Sequence, residues 1–290
     1  MLRFSHHRDP AESLREYGRG IAGGLMFSLP LLYTMEVWQS GFMLHPGRIL
    51  IYAVTTFGLL LLYNRFAGLR RDASFIEVLI DSVEEMGIGV VLSALVLWLT
   101  GRIEGGMDLL EIFGKIVMEG MTVAIGVSVG TAQLGAPCEG DEGFSEEEDV
   151  NGFFPQLALA LCGAVLFASN VAPTEEISVI AMESPPAKLL LIALFSILMG
   201  SLILQFSGFR GAKLHVARDT AMQSVRGIVS TYAVALVVSA GSLWFFGKLD
   251  GEPFSQAMAQ VVVLGFPATL GASAGRLLLQ VGDSAKSKDS

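Results

Sequence analysis

Long apolar runs recur along the chain, and they constrain its fold more than any other feature. A helix needs about 20 mostly apolar residues to cross a bilayer. Eight segments meet this requirement, near residues 20–41, 48–65, 76–100, 110–133, 155–182, 187–206, 222–246 and 255–279. The charged fraction of only 16% agrees, because soluble domains usually carry about a quarter charged residues. The sequence predicts an all-α, polytopic membrane protein with eight transmembrane helices.

Basic residues in the short loops predict the orientation of these spans. They cluster in the N-terminal segment, in the loops after spans two and six, and in the C-terminal segment. The set is Arg3, Arg8, Arg15, Arg19, Arg65, Arg70, Arg71, Arg210, Lys213, Arg218, Arg276, Lys286 and Lys288. The alternate loops have few positive charges. We therefore expect both termini on the cytoplasmic side.

An internal repeat divides the chain into two halves. Residues 20–70 align without a gap with 160–210 at a constant offset of 140, and eleven of these 51 positions are identical. The matches include Gly23/Gly163, Phe27/Phe167, Thr34/Thr174, Glu36/Glu176, Pro46/Pro186, Gly68/Gly208 and Arg70/Arg210. Further on, "LWLTGRIEG" at 97–105 matches "LWFFGKLDG" at 243–251, and "GVSVG" at 126–130 matches "GASAG" at 271–275. Ordered matches of this kind predict a duplication.

Each half would hold four spans, so both halves would enter the membrane in the same direction as parallel repeats. The predicted organisation is an N-terminal tail, a first repeat, an acidic linker, a second repeat and a C-terminal tail. Their bounds are 1–19, 20–134, 135–151, 152–279 and 280–290. The linker is interpreted as a solvated tether. The alternative is a loop that senses calcium, but the linker lacks the ligand spacing of an EF-hand.

Two glutamates, Glu36 and Glu176, occupy equivalent positions in spans one and five. A carboxylate at membrane depth is costly, so one that is present usually faces a partner, a cavity or a pathway. Thr34 and Thr174 add hydroxyl oxygens, and Glu175 adds a carboxylate in the second half alone. An all-oxygen environment suits hard cations, so Glu36 and Glu176 are the candidate metal ligands. The alternative is that these acids are hydrated at the outer boundary of the membrane.

Other acidic side chains are weaker candidates. Asp81, Glu84 and Glu85 stand near the cytoplasmic start of span three, where they form either a gate or a solvated turn, and a shifted alignment places Arg226 opposite Glu84. Glu119 is isolated in span four and is a second candidate for a proton site. Its counterpart in the repeat is either Gln260 or Leu264, depending on the gap.

Small residues recur at helical spacing in spans four and eight. Gly126 and Gly130 form one G-x-x-x-G pattern, and Gly271 and Gly275 form the other. Because small residues let helix backbones approach closely, we expect these glycines to serve helix packing.

Motifs of soluble enzymes are not found. The histidines form no H-E-x-x-H spacing, and the sequence has no Walker A or G-x-S-x-G element in a suitable context. The two cysteines suggest neither a disulfide framework nor a metal site. We expect no enzymatic activity, no cofactor and no nucleic-acid partner.

The duplicated spans, the stretch "APTEEIS" at 172–178 and the loop "SGFRG" at 207–211 resemble a bacterial family of integral membrane proteins of unknown function. The resemblance covers essentially the whole chain after the N-terminal tail. It implies a location in the bacterial inner membrane, but it supplies no substrate or catalytic residues.

These features lead to one principal functional hypothesis and two alternatives. The first is a secondary transporter that handles an inorganic cation, or exchanges a cation for protons, through the paired glutamates. The second is an ion channel with the same residues at a constriction, within one chain or around the axis of a homo-oligomer. The third is a membrane scaffold or sensor that does not transport.

Overall fold

The computed structural model describes residues 10–67, 74–133, 153–211 and 219–286, which fold into helices joined by turns, without a strand in these ranges. The helices are α1 (Pro10–Leu32), α2 (Met35–Met43), α3 (Pro46–Ala67), α4 (Phe75–Leu99), α5 (Leu109–Gln133), α6 (Phe153–Val171), α7 (Glu175–Glu183), α8 (Pro186–Gly211), α9 (Asp219–Phe245) and α10 (Phe254–Lys286). The predicted acidic linker at 135–151 lies outside the described residues.

Seven of these helices are long and apolar enough to cross a membrane. The candidate spans are Pro46–Phe66, Phe75–Leu99, Leu109–Ala132, Phe154–Val171, Pro186–Leu204, Val225–Phe245 and Phe254–Arg276. The prediction of an all-α, multi-pass membrane protein is confirmed. The segment predicted as the first span, 20–41, is not among the seven. It is divided between α1 and α2, and the apolar part of α1 alone is too short to cross.

Two predicted spans are broken at equivalent places. The helix break of the first half lies at Tyr33 and Thr34, and the break of the second half lies at 172–174. Pro173 explains the second, because proline has no backbone N–H to continue the ladder of helical hydrogen bonds. Each break leads into a nine-residue helix that begins 140 residues from its counterpart.

The helices α5 and α10 are the interior helices of their halves. In α5, 78% of the candidate span is buried, whereas only 11% is buried in α8. The contacts explain the difference, because α5 packs against α1, α2, α3 and α4, whereas α8 packs mainly against α9 and α10. In the second half, α10 takes the interior position and packs against α6, α7, α8 and α9. A polar side chain on α5 therefore lies deep inside the protein.

Glycines set the closest helix contacts at matching positions of the two halves. Gly23 on α1 lies directly against Gly130 on α5, and Gly163 on α6 lies against Gly271 and Gly275 on α10. A Cβ atom at any of these glycines would overlap the backbone of the facing helix. The same crossing thus holds α1 on α5 and α6 on α10.

The turns between α4 and α5 and between α9 and α10 share one backbone pattern. Gly101 and Gly247 have φ angles of 68° and 74°. The next residue donates its N–H to a carbonyl near the end of the preceding helix, Arg102 to Leu97 over 2.7 Å and Lys248 to Leu243 over 2.9 Å. Positive φ is costly for residues with a Cβ, which explains why glycine stands at both positions.

The two halves meet along α3 and α6. Leu59, Leu60 and Tyr63 of α3 pack in one buried cluster with Leu159, Cys162 and Leu166 of α6. Nearer the start of α3, the Tyr52 ring stacks on Phe245 of α9, with 4.5 Å between ring centroids. Residues near this seam are positioned by both halves of the chain.

Candidate functional site

Glu119, near the middle of α5, has the most unusual environment among the described residues. Its side chain is 0% exposed, and none of the described residues forms a hydrogen bond with either carboxylate oxygen. An ionised carboxylate that is removed from bulk solvent and has no ion pair with the described residues costs several kcal/mol or more. The neutral state, with a bound proton or a bound cation, is therefore favoured.

Hydroxyl groups from both halves surround this part of α5. The Tyr52 hydroxyl on α3 hydrogen-bonds to Thr122 Oγ1 on α5, with either group as the donor. Ser169 of α6, which is also buried, hydrogen-bonds to the same tyrosine hydroxyl. Glu119 is close enough to interact electrostatically with the Tyr52 hydroxyl. Hydroxyl oxygens can exchange protons and can coordinate hard cations.

The helix break of the first half lies beside the same stretch of α5. Gly23 contacts Gly130, and further along the chain Gly41 contacts Gly114, so α1 and α2 run antiparallel to α5. The break at Tyr33 and Thr34 falls between these two contacts, next to the part of α5 that carries Glu119. Backbone groups at a helix end lack partners within the helix and are used in transporters to bind ions.

The second half carries an uncharged group in the corresponding region. Gln260 on α10 is buried, and its side-chain carbonyl oxygen accepts no hydrogen bond from residues 10–67, 74–133, 153–211 or 219–286. Leu264, the other predicted counterpart of Glu119, is also fully buried. Only the first half therefore places a titratable side chain on its interior helix at this level.

The glutamates that the repeat singled out lie at the helix breaks rather than in the core. Glu36 is half-buried in the first turn of α2, and Glu176 is exposed in the first turn of α7. Thr34 and Thr174 precede these helices, and the Thr174 hydroxyl donates to the Val171 carbonyl over 2.8 Å. These four residues thus lie at the helix breaks, and neither the Glu36 nor the Glu176 side chain is fully buried.

Glu175 forms an ion pair, with its Oε1 atom 2.8 Å from Lys248 Nζ in the α9–α10 turn. In the first half, Met35 takes the place of Glu175, and Arg102 takes the place of Lys248. The Arg102 guanidinium lies instead 5.3 Å from the centre of the Trp38 ring. The ion pair is therefore confined to the second half, where Glu175 and Lys248 replace Met35 and Arg102.

The second acidic group contains one buried member. Glu85 on α4 accepts a hydrogen bond from Asn64 Nδ2 over 2.7 Å, and the same nitrogen donates to Ser82 over 3.0 Å. The Asn64 carbonyl oxygen accepts from Ser128 on α5 over 2.9 Å. This network joins α3, α4 and α5. Asp81 is half-buried, whereas Glu84 and Arg226 are exposed.

Sequence reasoning missed a buried lysine near the opposite end of α5. Lys115 is 2% exposed, and its Nζ atom lies 2.6 Å from Glu111 Oε1 and 3.1 Å from the Arg102 carbonyl. The aromatic ring of Trp38 lies 5.3 Å away. A lysine within the predicted span 110–133 could have identified this site from the sequence. Its partners compensate its charge, unlike that of Glu119.

Reasoning from the repeat also missed Tyr52 and Asn64. Together with Thr56 they follow the i, i+4 spacing of one face of α3, and all three are buried. A polar stripe in an otherwise apolar span could have identified this face. Comparison of the halves does not reveal it, because Ile192 and Leu204 match Tyr52 and Asn64, and only Thr56 has a polar counterpart, Ser196.

A cavity of about 620 Å³ opens where α2 and α3 of the first half meet the α9–α10 turn of the second. Its lining includes His45, Arg48, Trp244 and Asp250. Arg48 contacts Asp250, with 2.7 Å between Nη2 and Oδ2, and lies 5.3 Å from the Trp244 ring. Tyr52 is one helical turn from Arg48, so α3 connects this cavity to the Glu119 region.

Within the described ranges, no group of three or more His, Cys, Asp or Glu side chains is arranged to hold a metal ion. A single carboxylate is the charged centre of the buried site. Among known protein families, the one described as putative integral membrane protein (DUF2391) matches residues 16–279. No curated protein and no solved structure matches the chain.

Proposed function

The chain belongs to this family of integral membrane proteins, and we propose that it is a secondary transporter for a proton or a monovalent cation, with Glu119 as the central carboxylate. The observation that carries the proposal is the complete burial of Glu119 without a hydrogen bond to any group in the part of the chain that the structure describes. A side chain with this cost and no structural partner is typical of a functional site in a membrane protein.

The charge balance favours a monovalent ion. One proton or one monovalent cation neutralises one buried carboxylate, whereas a divalent ion would leave a net positive charge in a low-dielectric region. The hydroxyl groups of Tyr52, Thr122 and Ser169 would supply neutral oxygens around the ion. Proton and cation would compete for the same carboxylate, and this competition couples their movements.

The position of the site at the seam suggests how binding is coupled to movement. Tyr52 belongs to the first half, and Ser169 and Phe245 belong to the second. In our proposal, the halves change their relative position only when Glu119 is neutral, because moving an uncompensated charge through the apolar seam is too costly. The site then faces the two sides of the membrane in turn.

Glu36 and Glu176 take the role of accessible acids at the two helix breaks. Their carboxylates attract cations to the breaks, where Thr34 and Thr174 contribute oxygens. The cation then reaches Glu119 in the interior. This role differs from that of a paired central site, because neither carboxylate is buried.

The finer topology is part of the proposal. We propose eight crossings, in which α1 and α2 together form the first, with both termini in the cytoplasm of a bacterium and the chain in its inner membrane. Two parallel repeats are supported by the nine-residue helices 140 residues apart and by the matching glycine contacts. Basic residues in alternate loops support the orientation.

Reconstitution into proteoliposomes tests the function. Saturable flux of Na⁺, K⁺ or Li⁺ that changes a pH gradient is the expected result, and it should be lost in Glu119→Gln. Glu252→Gln, in an exposed loop, is the control and should retain the flux. Unitary currents in a planar bilayer would indicate a channel, and the absence of any flux would indicate a scaffold. Flux that survives Glu119→Gln would contradict the proposed site.

A further inference from the structure

We infer that the chain forms a homodimer in which the start of α8 of one copy packs against the α4–α5 turn of the other. The surface consists of Lys188, Trp98 and Glu104, together with the apolar residues beside them. Its partner is a second copy of this chain. The inference rests on an equivalent contact that is already made inside the chain.

The contact inside the chain joins the start of α3 to the α9–α10 turn. Arg48 pairs with Asp250 and lies over the face of Trp244. One helical turn deeper, Tyr52 stacks on Phe245. A cation, an anion and an aromatic ring thus join the first half to the second at one end of the seam.

The repeat places the same chemistry on the other two elements. Lys188 corresponds to Arg48, Trp98 to Trp244 and Glu104 to Asp250. All three side chains are exposed, with Trp98 64% exposed, so they do not form this contact within the chain. The protein surface therefore carries Lys188, Trp98 and Glu104, but these three residues do not make the contact that Arg48, Trp244 and Asp250 make.

The backbone on both sides is the same as in the internal contact. Lys188 donates its N–H to the carbonyl of Pro185 over 2.9 Å, and Arg48 donates to that of His45 over 2.8 Å. The α4–α5 turn repeats the α9–α10 turn in its hydrogen bonds and its positive-φ glycine. Both members of the pair are therefore held in the conformations that the internal contact uses.

Apolar residues next to this set continue the match. Leu99, which corresponds to Phe245, is 67% exposed, whereas Ile192, which corresponds to Tyr52, is half-buried against the core of its own chain. Leu191 and Leu194 on the same helix are also exposed. Acyl chains of lipids can cover apolar side chains, but they do not pair with the charges of Lys188 and Glu104.

A two-fold axis satisfies both open sides at once. Lys188 of each copy would meet Glu104 of the other, so the dimer would close with two equivalent contacts, as in most homodimers. Four halves would then surround the axis, joined alternately by internal and intermolecular contacts. The dimer does not depend on the proposed role of Glu119.

Thiol cross-linking in native membranes tests the interface. In a background with Cys138→Ser and Cys162→Ala, the double variant Lys188→Cys/Glu104→Cys is treated with a short bifunctional thiol reagent. A band at twice the monomer mass is expected. Arg48→Cys/Asp250→Cys should cross-link within one chain, and Lys188→Cys/Glu252→Cys is the matched control without a predicted contact. A link within one chain for Lys188→Cys/Glu104→Cys, or no more dimer than in the control, would overturn the inference.

A charge exchange provides a second measurement that does not need cysteine. Lys188→Glu and Glu104→Lys should each lower the dimer fraction in dilute proteoliposomes, counted by single-molecule photobleaching. The usual strength of an exposed ion pair corresponds to a change of about two- to fivefold in the dimerisation constant for each contact. The double exchange should restore dimerisation. A dimer fraction unaffected by either single change, or a double exchange without recovery, would refute the contact.

Discussion

Arg48 and Asp250, 202 residues apart in the chain, lie with 2.7 Å between Nη2 and Oδ2 and join the first half of the protein to the second. The arginine also covers the Trp244 ring, and Tyr52 stacks on Phe245 one turn deeper. Two ion pairs hold the α9–α10 turn, because Lys248 in the same turn contacts Glu175. This turn is therefore fixed to both halves.

Arg48→Ala should destabilise the protein more than Asp250→Asn. The Asp250 carboxylate is 55% exposed, so its ion pair contributes less than about 1 kcal/mol. Arg48 is only 23% exposed and loses the aromatic contact as well, for a total of about 1–2 kcal/mol. Unfolding of the single and double variants in mixed micelles gives the coupling energy. A coupling of zero would contradict a stabilising role for the contact.

Gly163→Ala should prevent tight packing of α6 on α10. The added Cβ would overlap the Gly271 backbone, so the helices would have to separate, at a cost of about 1–3 kcal/mol or more. Gly58→Ala is the matched control, because nothing lies within 4 Å of the added atom. It should be neutral or stabilising by up to about 1 kcal/mol. Thermal unfolding in detergent distinguishes the two, and equal melting temperatures would contradict the packing.

Asn64→Leu should cost about 2 kcal/mol, because it removes three side-chain hydrogen bonds, one of them to the buried Glu85 carboxylate. Ser82→Ala removes two neutral bonds, one accepted from Asn64 and one donated to the Val78 carbonyl of the same helix. It should cost about 1 kcal/mol, because a bond of this kind contributes about 0.6 kcal/mol within membranes. Chemical unfolding measures both. A smaller effect for Asn64→Leu than for Ser82→Ala would mean that the amide is not the centre of the network.

Glu36→Gln with Glu176→Gln should raise the KM for the transported cation several-fold with little change in the maximal rate. The accessible acids would attract the ion, while Glu119 holds it. Initial rates at a series of cation concentrations in proteoliposomes separate the two parameters. Complete loss of flux in this double variant, with flux retained in Glu119→Gln, would instead place the central site at the helix breaks.

The apolar runs predicted the fold class, because crossing a bilayer requires a length of apolar sequence that is visible without tertiary information. The breaks at Thr34 and Thr174 were harder to predict. Pro173 signals the second break, whereas Pro30 predicts a kink in the first span but lies inside α1, so the position of the break at Thr34 is visible only in the structure. Predicted span 20–41 therefore became two helices.

The candidate site was only partly predictable, since matching positions in a repeat do not report burial. Equivalence singled out Glu36 and Glu176, which remain accessible at the helix breaks. Glu119 has no acidic counterpart and ranked lower, yet its position on the interior helix α5 removes it from solvent completely. Which helix is central depends on contacts between distant segments, and these cannot be read from local patterns.

Modification by dicyclohexylcarbodiimide is the most direct measurement of the central claim. This apolar reagent reacts with protonated carboxyl groups in membranes, and peptide mass spectrometry locates the adduct. We predict that Glu119 is labelled at neutral pH, that labelling falls as pH rises, and that the transported cation protects it. Glu119→Gln should abolish this adduct. Absence of label on Glu119 in folded protein, or labelling that neither pH nor any monovalent cation changes, would contradict a proton- or cation-binding role for this residue.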